Sequence, residues 1–202
     1  MQSRYKKINK KNSGYTIVET MIAVSLFLVV ITTGINALLN ANVVHQKSQD
    51  IREVMDNLNF IMEDMSRHLR TGSNVHCLTG ADTPLSAPIS IPQNCFNNKG
   101  WGIAFEHVGG MSGNDNDQWV YYIDDTDNTI RKSTQGLTDF YQLTTDEVKI
   151  DSATSGFYVL GAETSDKQQP LVIIKLVGNI FYQGISTPFS LQTSMSQRLL
   201  DI

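Results

Sequence analysis

The feature that most constrains this chain is an absence of charge. From Thr20 to Val44 no residue carries a formal charge, and Met21–Leu39 is dominated by Met, Ile, Val, Leu, Phe and Ala. About 20 such residues in a helix cross a bilayer. Thr32, Thr33 and Asn36 dilute the second half, so the span is a modest one, expected over about residues 17–40. Arg4, Lys6, Lys7, Lys10 and Lys11 all precede it. Positive charge stays on the cytoplasmic side, which sends the C-terminal body outside. The run has no small-residue A-x-A ending of the kind an ordinary secretory signal carries.

The helical pattern does not stop with the apolar run. Ile51, Val54, Met55, Leu58, Ile61, Met62, Met65 and Leu69 recur at spacings of three and four, with Arg52, Glu53, Asp56, Glu63, Asp64 and Arg67 between them. That is an amphipathic helix over about residues 45–70. Neither Pro nor Gly interrupts 35–71, and Thr71-Gly72 supplies a stop. One helix is therefore expected from about Thr16 to Arg70, roughly 80 Å long at 1.5 Å per residue. The bilayer takes about 30 Å of that. The remainder needs a surface for its apolar stripe, and the C-terminal domain is the most economical one.

Glu19 stands at the mouth of the apolar run. A carboxylate costs up to about 3 kcal/mol at mid-span and less near the interface. An interfacial Glu eased by the positive end of a helix is one explanation. The surrounding residues offer another. A basic leader ending in Gly14, then Tyr15-Thr-Ile-Val-Glu19, then an apolar helix, resembles the class III signal of type IV prepilins and type II secretion pseudopilins. The resemblance covers about Lys10–Leu39 and is specific, because its parts occur in fixed order. It implies a leader over 1–14, cleavage by a prepilin peptidase between Gly14 and Tyr15, and N-methylation of Tyr15. It implies that Glu19, fifth in the mature chain, pairs with the N-terminal amine of a neighbouring subunit as an assembly residue. Tyr15 departs mildly from the commoner Phe. The implied partners are the peptidase, other pilins or pseudopilins, an inner-membrane assembly platform, and the lipid bilayer before assembly.

After Gly72 the period changes from 3.6 to 2. Strands are expected at Trp101–Glu106, Trp119–Ile123, Thr129–Ser133, Val148–Ile150, Phe157–Leu160, Leu171–Val177 and Phe189–Ser196, with Asp124–Asn128 as a hairpin turn. Strands without intervening helices give an antiparallel sheet, and the long helix covers its apolar face. The fold class is α+β, with residues 72–202 as a β-rich extracytoplasmic domain. The resemblance implies the same architecture, a long N-terminal helix on an antiparallel sheet.

The net charge of −4 hides an asymmetry. Five of the 16 Lys and Arg lie in the leader, leaving 11 against 20 Asp and Glu, a formal −9. An acidic body does not bind nucleic acid through its bulk surface. Cys77 and Cys95 are too few for a disulfide-dense scaffold. In an exported domain they most simply form one bridge, enclosing Pro84, Pro88 and Pro92; two unrelated buried thiols are the alternative.

No motif carries catalysis: there is no G-x-S-x-G, HExxH, Walker or dinucleotide fingerprint. The chain is read as a non-enzyme without a required cofactor. His45, His68, His76 and His107 lie in unrelated contexts and are expected at the surface or facing a partner. Asp124, Asp125, Asp127 and Asn128 are candidate Ca²⁺ ligands, though they lack the glycine of an EF-hand and are ordinary turn residues. Asn114–Asp117 is a weaker candidate, and Gly109–Gly113 reads as a flexible connector. The leading expectation is a minor pseudopilin of type II secretion, similar to its protein J. A minor pilin of a type IV pilus serving adhesion, motility or DNA uptake competes with it. A signal-anchored extracytoplasmic enzyme or binding domain is the third reading.

Overall fold

The computed structural model describes residues 14–80, 88–95, 99–164, 168–182 and 184–198. The basic leader before Gly14 and Pro84 lie outside the described residues. A single helix, α1, runs Ile17–Thr71. The chain divides into two units, the first ending at Ser48 and the second running from Gln49 to Ile202, so the division falls inside α1.

In the first unit every described residue from Gly14 to Gln46 is exposed. This part of α1 is long and apolar enough to cross a membrane, and none of its apolar window is buried. Its hydroxyls are satisfied within the helix. Thr20, Ser25, Thr32 and Thr33 donate to carbonyls three or four residues back, at 2.8–3.0 Å. Polar groups closed on their own backbone make such a surface compatible with lipid.

In the second unit the remaining part of α1 packs on antiparallel strands, an α+β arrangement. The buried helix residues are Leu58, Ile61, Met62, Met65 and Leu69, with Val54 and Met55 half-buried against the same core. They are the stripe that the spacing of apolar residues predicts. The helix ends where Gly72 donates its N–H to the His68 carbonyl at 2.8 Å. A Cβ on Gly72 would stand 2.5 Å from Phe105 Cδ2 and 2.8 Å from the Glu106 carbonyl. Only glycine lets the chain turn this close to the sheet.

Among the described residues nine strands follow: β1 (Ser73–Leu78), β2 (Gly102–Glu106), β3 (Trp119–Asp124), β4 (Thr129–Ser133), β5 (Tyr141–Gln142), β6 (Val148–Ile150), β7 (Gly156–Leu160), β8 (Leu171–Tyr182) and β9 (Ile185–Ser196). They form two sheets rather than the single one expected. The first is a sequential meander, β1-β2-β3-β4-β5. In the second, β8 is central: β9 pairs along one edge over all twelve residues, and β6 and β7 pair with successive stretches of β8. The sheets meet where Gly100 and Phe157 exchange backbone hydrogen bonds of 2.7 and 2.9 Å.

One core joins the helix stripe to both sheets through Ile103, Phe105, Tyr121, Ile130, Phe157, Val172, Ile174 and Leu176. The first sheet also has a covered second face, with Leu78, Ile89, Ala104 and Val120 buried there. That is why β2 is buried throughout. Cys77 and Cys95 form a disulfide that ties β1 to the segment ending at Cys95. The same segment is held by Cys95 N–H donating to the Val159 carbonyl at 3.2 Å.

Candidate functional site

Three groups of residues singled out in the sequence can be located. The first is the start of α1. Gly14, Tyr15 and Thr16 precede the helix in non-helical backbone, and Tyr15 is 82% exposed. Thr16 is the N-cap: its Oγ1 accepts the Glu19 N–H at 3.3 Å. Glu19, third residue of α1, lies in the acid-favouring first turn and is exposed. Thr16-Ile-Val-Glu19 has the S/T-x-x-E spacing of a capping box. This local signal was legible in the sequence and accounts for where the helix begins. The peptide bond between Gly14 and Tyr15 thus lies just outside the helix, and the Glu19 carboxylate lies one turn inside it.

The second place is the Asp124–Asn128 turn. The β3–β4 register pairs Asp124 with Thr129, and Asn128 takes the left-handed backbone (φ 58°) that Asn tolerates. The carboxylates do not converge on an open site. Asp124 Oδ2 is 3.0 Å from Arg131 Nε, and Asp127 also pairs with the Arg131 guanidinium. Asp124 Oδ1 accepts the Thr126 N–H at 2.9 Å. The cation that these acids hold is Arg131. Among the described residues no three His, Cys, Asp or Glu side chains group as a metal site.

The third concerns the histidines, three of which are not simple surface groups. His76 is buried, its Nδ1 2.6 Å from the Ile91 carbonyl oxygen. His107 stacks on Trp119 with ring centroids 4.8 Å apart. His68 tilts against the same indole at 4.6 Å. The stretch Gly109–Gly113 forms turns rather than an open connector: Gly110 N–H donates to His107 carbonyl at 3.0 Å and Met111 N–H to Asp117 Oδ2 at 2.8 Å.

Two polar clusters were not expected. One links α1 to the first sheet. Asp64 Oδ2 is 3.3 Å from His68 Nδ1 and 3.5 Å from both Lys132 Nζ and the Tyr121 hydroxyl. The Lys132 ammonium sits 4.2 Å above the Trp119 ring. Burial pushes His68 and Lys132 below their ordinary pKa values, and the Asp64 carboxylate opposes both shifts. The side chains come from i, i+4 positions on α1 and from a cross-strand pair, Tyr121 and Lys132. Only the three-dimensional pairing of helix and sheet brings them together.

The other cluster lies on the opposite face of the first sheet. The register Phe105↔Trp119 sets Glu106 opposite Gln118, and Gln118 Nε2 donates to Glu106 Oε2 at 2.6 Å. Both side chains are buried. Burial first, then the Asp117 carboxylate, raises the Glu106 pKa, and the Gln118 hydrogen bond opposes that rise. Comparison of the chain with family models, with curated proteins and with solved structures finds no match.

Proposed function

We propose that this chain is a non-enzymatic structural subunit of a type IV filament-like assembly, most similar to the minor pseudopilin J of type II secretion. The observation that carries this reading is the order of features at the start of α1: an exposed, non-helical Gly14–Tyr15 pair, a Thr16 cap, Glu19 in the first turn, then an exposed apolar helix. A protease needs an accessible peptide bond outside regular structure, and Gly14–Tyr15 is exposed and non-helical. The apolar surface from Ile17 to Val44 needs lipid or the same surface of other subunits to cover it. A disulfide in the second unit suits an oxidising compartment.

In this proposal a prepilin peptidase cleaves after Gly14 and methylates Tyr15. The chain waits in the inner membrane with its second unit outside, and an assembly platform moves it into a filament. Cleavage creates one positive charge, the Tyr15 amine. Two half-buried charges cost far less free energy paired than either does unpaired, so Glu19 of one subunit takes the amine of its neighbour. That pairing also fixes the axial step between subunits.

Intact mass and the N-terminal peptide of the chain from its host, with sheared filaments kept apart from membranes, test the reading. The expected product starts at methylated Tyr15. Recovery in sheared surface filaments assigns a pilus, and recovery in membranes alone assigns the secretion pseudopilus. An N-terminus at Met1 overturns the proposal in favour of a signal-anchored domain. Glu19→Ala is expected to leave processing intact and abolish incorporation; normal incorporation sinks its role.

A further inference from the structure

We propose that the outer edge of β9, from Ser190 to Ser196, receives an extended segment of another protein as an added antiparallel strand, one whose N-terminal flank is acidic. The inference does not depend on the filament reading.

The second sheet leaves this edge open. β9 pairs with β8 alone, and the register runs from Ile185 to Ser196 without a shift. The direction of its backbone groups follows from β8. Asp151 N–H donates to the Val177 carbonyl at 2.8 Å, and Phe181 N–H donates to the Glu147 carbonyl at 2.7 Å. Val177 and Phe181 thus turn their backbone groups toward β6. Their partners across the ladder, Ser190 and Ser186, turn theirs outward. Alternation adds Pro188, Gln192, Ser194 and Ser196 to the outward set. Pro188 falls where its missing N–H removes no ladder bond. Arg198, of the same parity, donates its N–H to the Arg70 carbonyl at 3.1 Å, so the end of α1 closes the edge there. Between these limits, the outward groups of Ser190, Gln192 and Ser194 have no backbone partner among the described residues.

The other outer strands are covered. Outside β1, Cys77 N–H donates to the Gln93 carbonyl and Gln93 N–H to the Val75 carbonyl, both at 3.0 Å. Outside β6, Ile150 N–H donates to the Asn128 carbonyl at 2.8 Å. Gly100 and Cys95 bond along β7, and β5 is only Tyr141–Gln142. Natural edges are guarded by charge, proline or a bulge, because an open edge is a template for another strand. β9 carries no charged residue, and its one proline stands before the open stretch.

The surroundings select the occupant. A groove of about 300 Å³ runs beside the edge, between Asn59, Met62 and Ser66 of α1 and Leu191, Gln192 and Thr193 of β9. A strand added about 4.8 Å from β9 sends every second side chain to this side, beside Met62 and Leu191, so those residues are apolar. Past Ser66 lie Arg70 and Arg198. Arg67 pairs with Glu63 at 3.0 Å, whereas Arg70 and Arg198 are exposed and make no ion pair among the described residues. Arg70 suits the negative end of α1, but Arg198 lies off the helix. A strand antiparallel to β9 begins at this end, so acids ahead of it meet both arginines. A second copy of β9 brings none, since Ile180–Ser196 is uncharged.

The test uses the full-length chain in detergent micelles and a fluorescein-labelled synthetic peptide, three aspartates followed by four threonine–valine repeats. Saturable binding by anisotropy is expected, at least tenfold weaker in Gln192→Pro and in Arg70→Glu/Arg198→Glu, and for a peptide with lysines in place of the aspartates. Gln192→Pro removes an outward N–H and no ladder bond. Amide hydrogen exchange of the unaltered chain, which depends on no variant folding, is expected to slow at least tenfold at Ser190, Gln192 and Ser194 when the peptide is bound, and to stay unchanged at Leu191 and Thr193. Absence of saturable binding overturns the proposal. So does binding that leaves those three amides unaltered, that tolerates either variant, or that is as tight for the lysine peptide. A peptide-free chain that is dimeric with those amides already protected also overturns it and gives the edge to a second copy.

Discussion

At the scale of single residues, the polar link between α1 and the first sheet makes stability depend on pH. His68 faces Asp64 on its own helix and Lys132, Tyr121 and Trp119 on the sheet. Burial, the largest influence, holds its pKa below the ordinary 6.5. The unfolded chain takes up a proton at about 6.5, before the folded chain does. His68 therefore contributes stability that is whole above about pH 6.5 and is lost as pH falls through that value toward the folded pKa. The slope is at most about 1.4 kcal/mol per pH unit for one proton. His68→Gln is expected to flatten the stability curve below pH 6.5 while leaving its shape near pH 8 unchanged. Urea midpoints at half-unit steps of pH read this directly, and an unaltered acid slope in the variant contradicts it.

At the scale of elements, the disulfide and the strands show what sequence could and could not say. The spacing of apolar residues on α1 specified its buried face because Leu58, Ile61, Met65 and Leu69 obey one period over several turns. The seven expected strands all fall on strands of the structure, with Trp101 alone left outside, because each carries β-branched or aromatic residues bounded by turn chemistry. β8 continues past the expected end at Val177, through Gly178-Asn179, a pair with the composition of a turn. Gly178 instead stays in the strand, where a Cβ would come within 2.2 Å of the Lys149 carbonyl, so its bare backbone admits β6. β1 was missed because its pairing is broken by an irregularity between Ser73 and His76, with Asn74 at φ 51°, and Ser-Asn-Val-His-Cys-Leu does not alternate. The buried Glu106–Gln118 pair was illegible because nothing local says that both faces of β2 are covered. The disulfide was legible as an option, and its energetic role follows from its span. Closing a loop of separation 18 stabilises by roughly 3 kcal/mol in the chain-entropy picture. Cys77→Ser with Cys95→Ser is expected to lose about that much, measured as a lowered denaturant midpoint with an altered m-value from the looser unfolded chain. A loss under about 1 kcal/mol would show that the sheet contacts at Val159 and Gln93 already hold the segment.

At the scale of the whole molecule, the chain divides into two units, and the division falls within one helix rather than at its end. Among the described residues before Gln49 no apolar side chain is buried, whereas those after it supply a core that joins helix and both sheets. The stability of the second unit therefore does not draw on the apolar run. A fragment of residues 49–202 is expected to be soluble without detergent, to form the Cys77–Cys95 disulfide, and to unfold in one cooperative transition. The helical stretch Gln49–Thr71 draws most of its stability from packing its apolar face rather than from helix propensity. In the fragment it is held by Leu58, Ile61, Met62, Met65 and Leu69. Met65→Ala in that fragment is expected to cost about 2–5 kcal/mol, the range for truncating a fully buried Met. Phe60→Ala, on the exposed face of the same helix, is expected to change stability by less than about 0.5 kcal/mol. Coincident transitions in helical circular dichroism and tryptophan emission would establish a single cooperative unit. If the helical signal melts first, the helix draws its order from the apolar run before it, and the boundary at Ser48 is not a folding boundary.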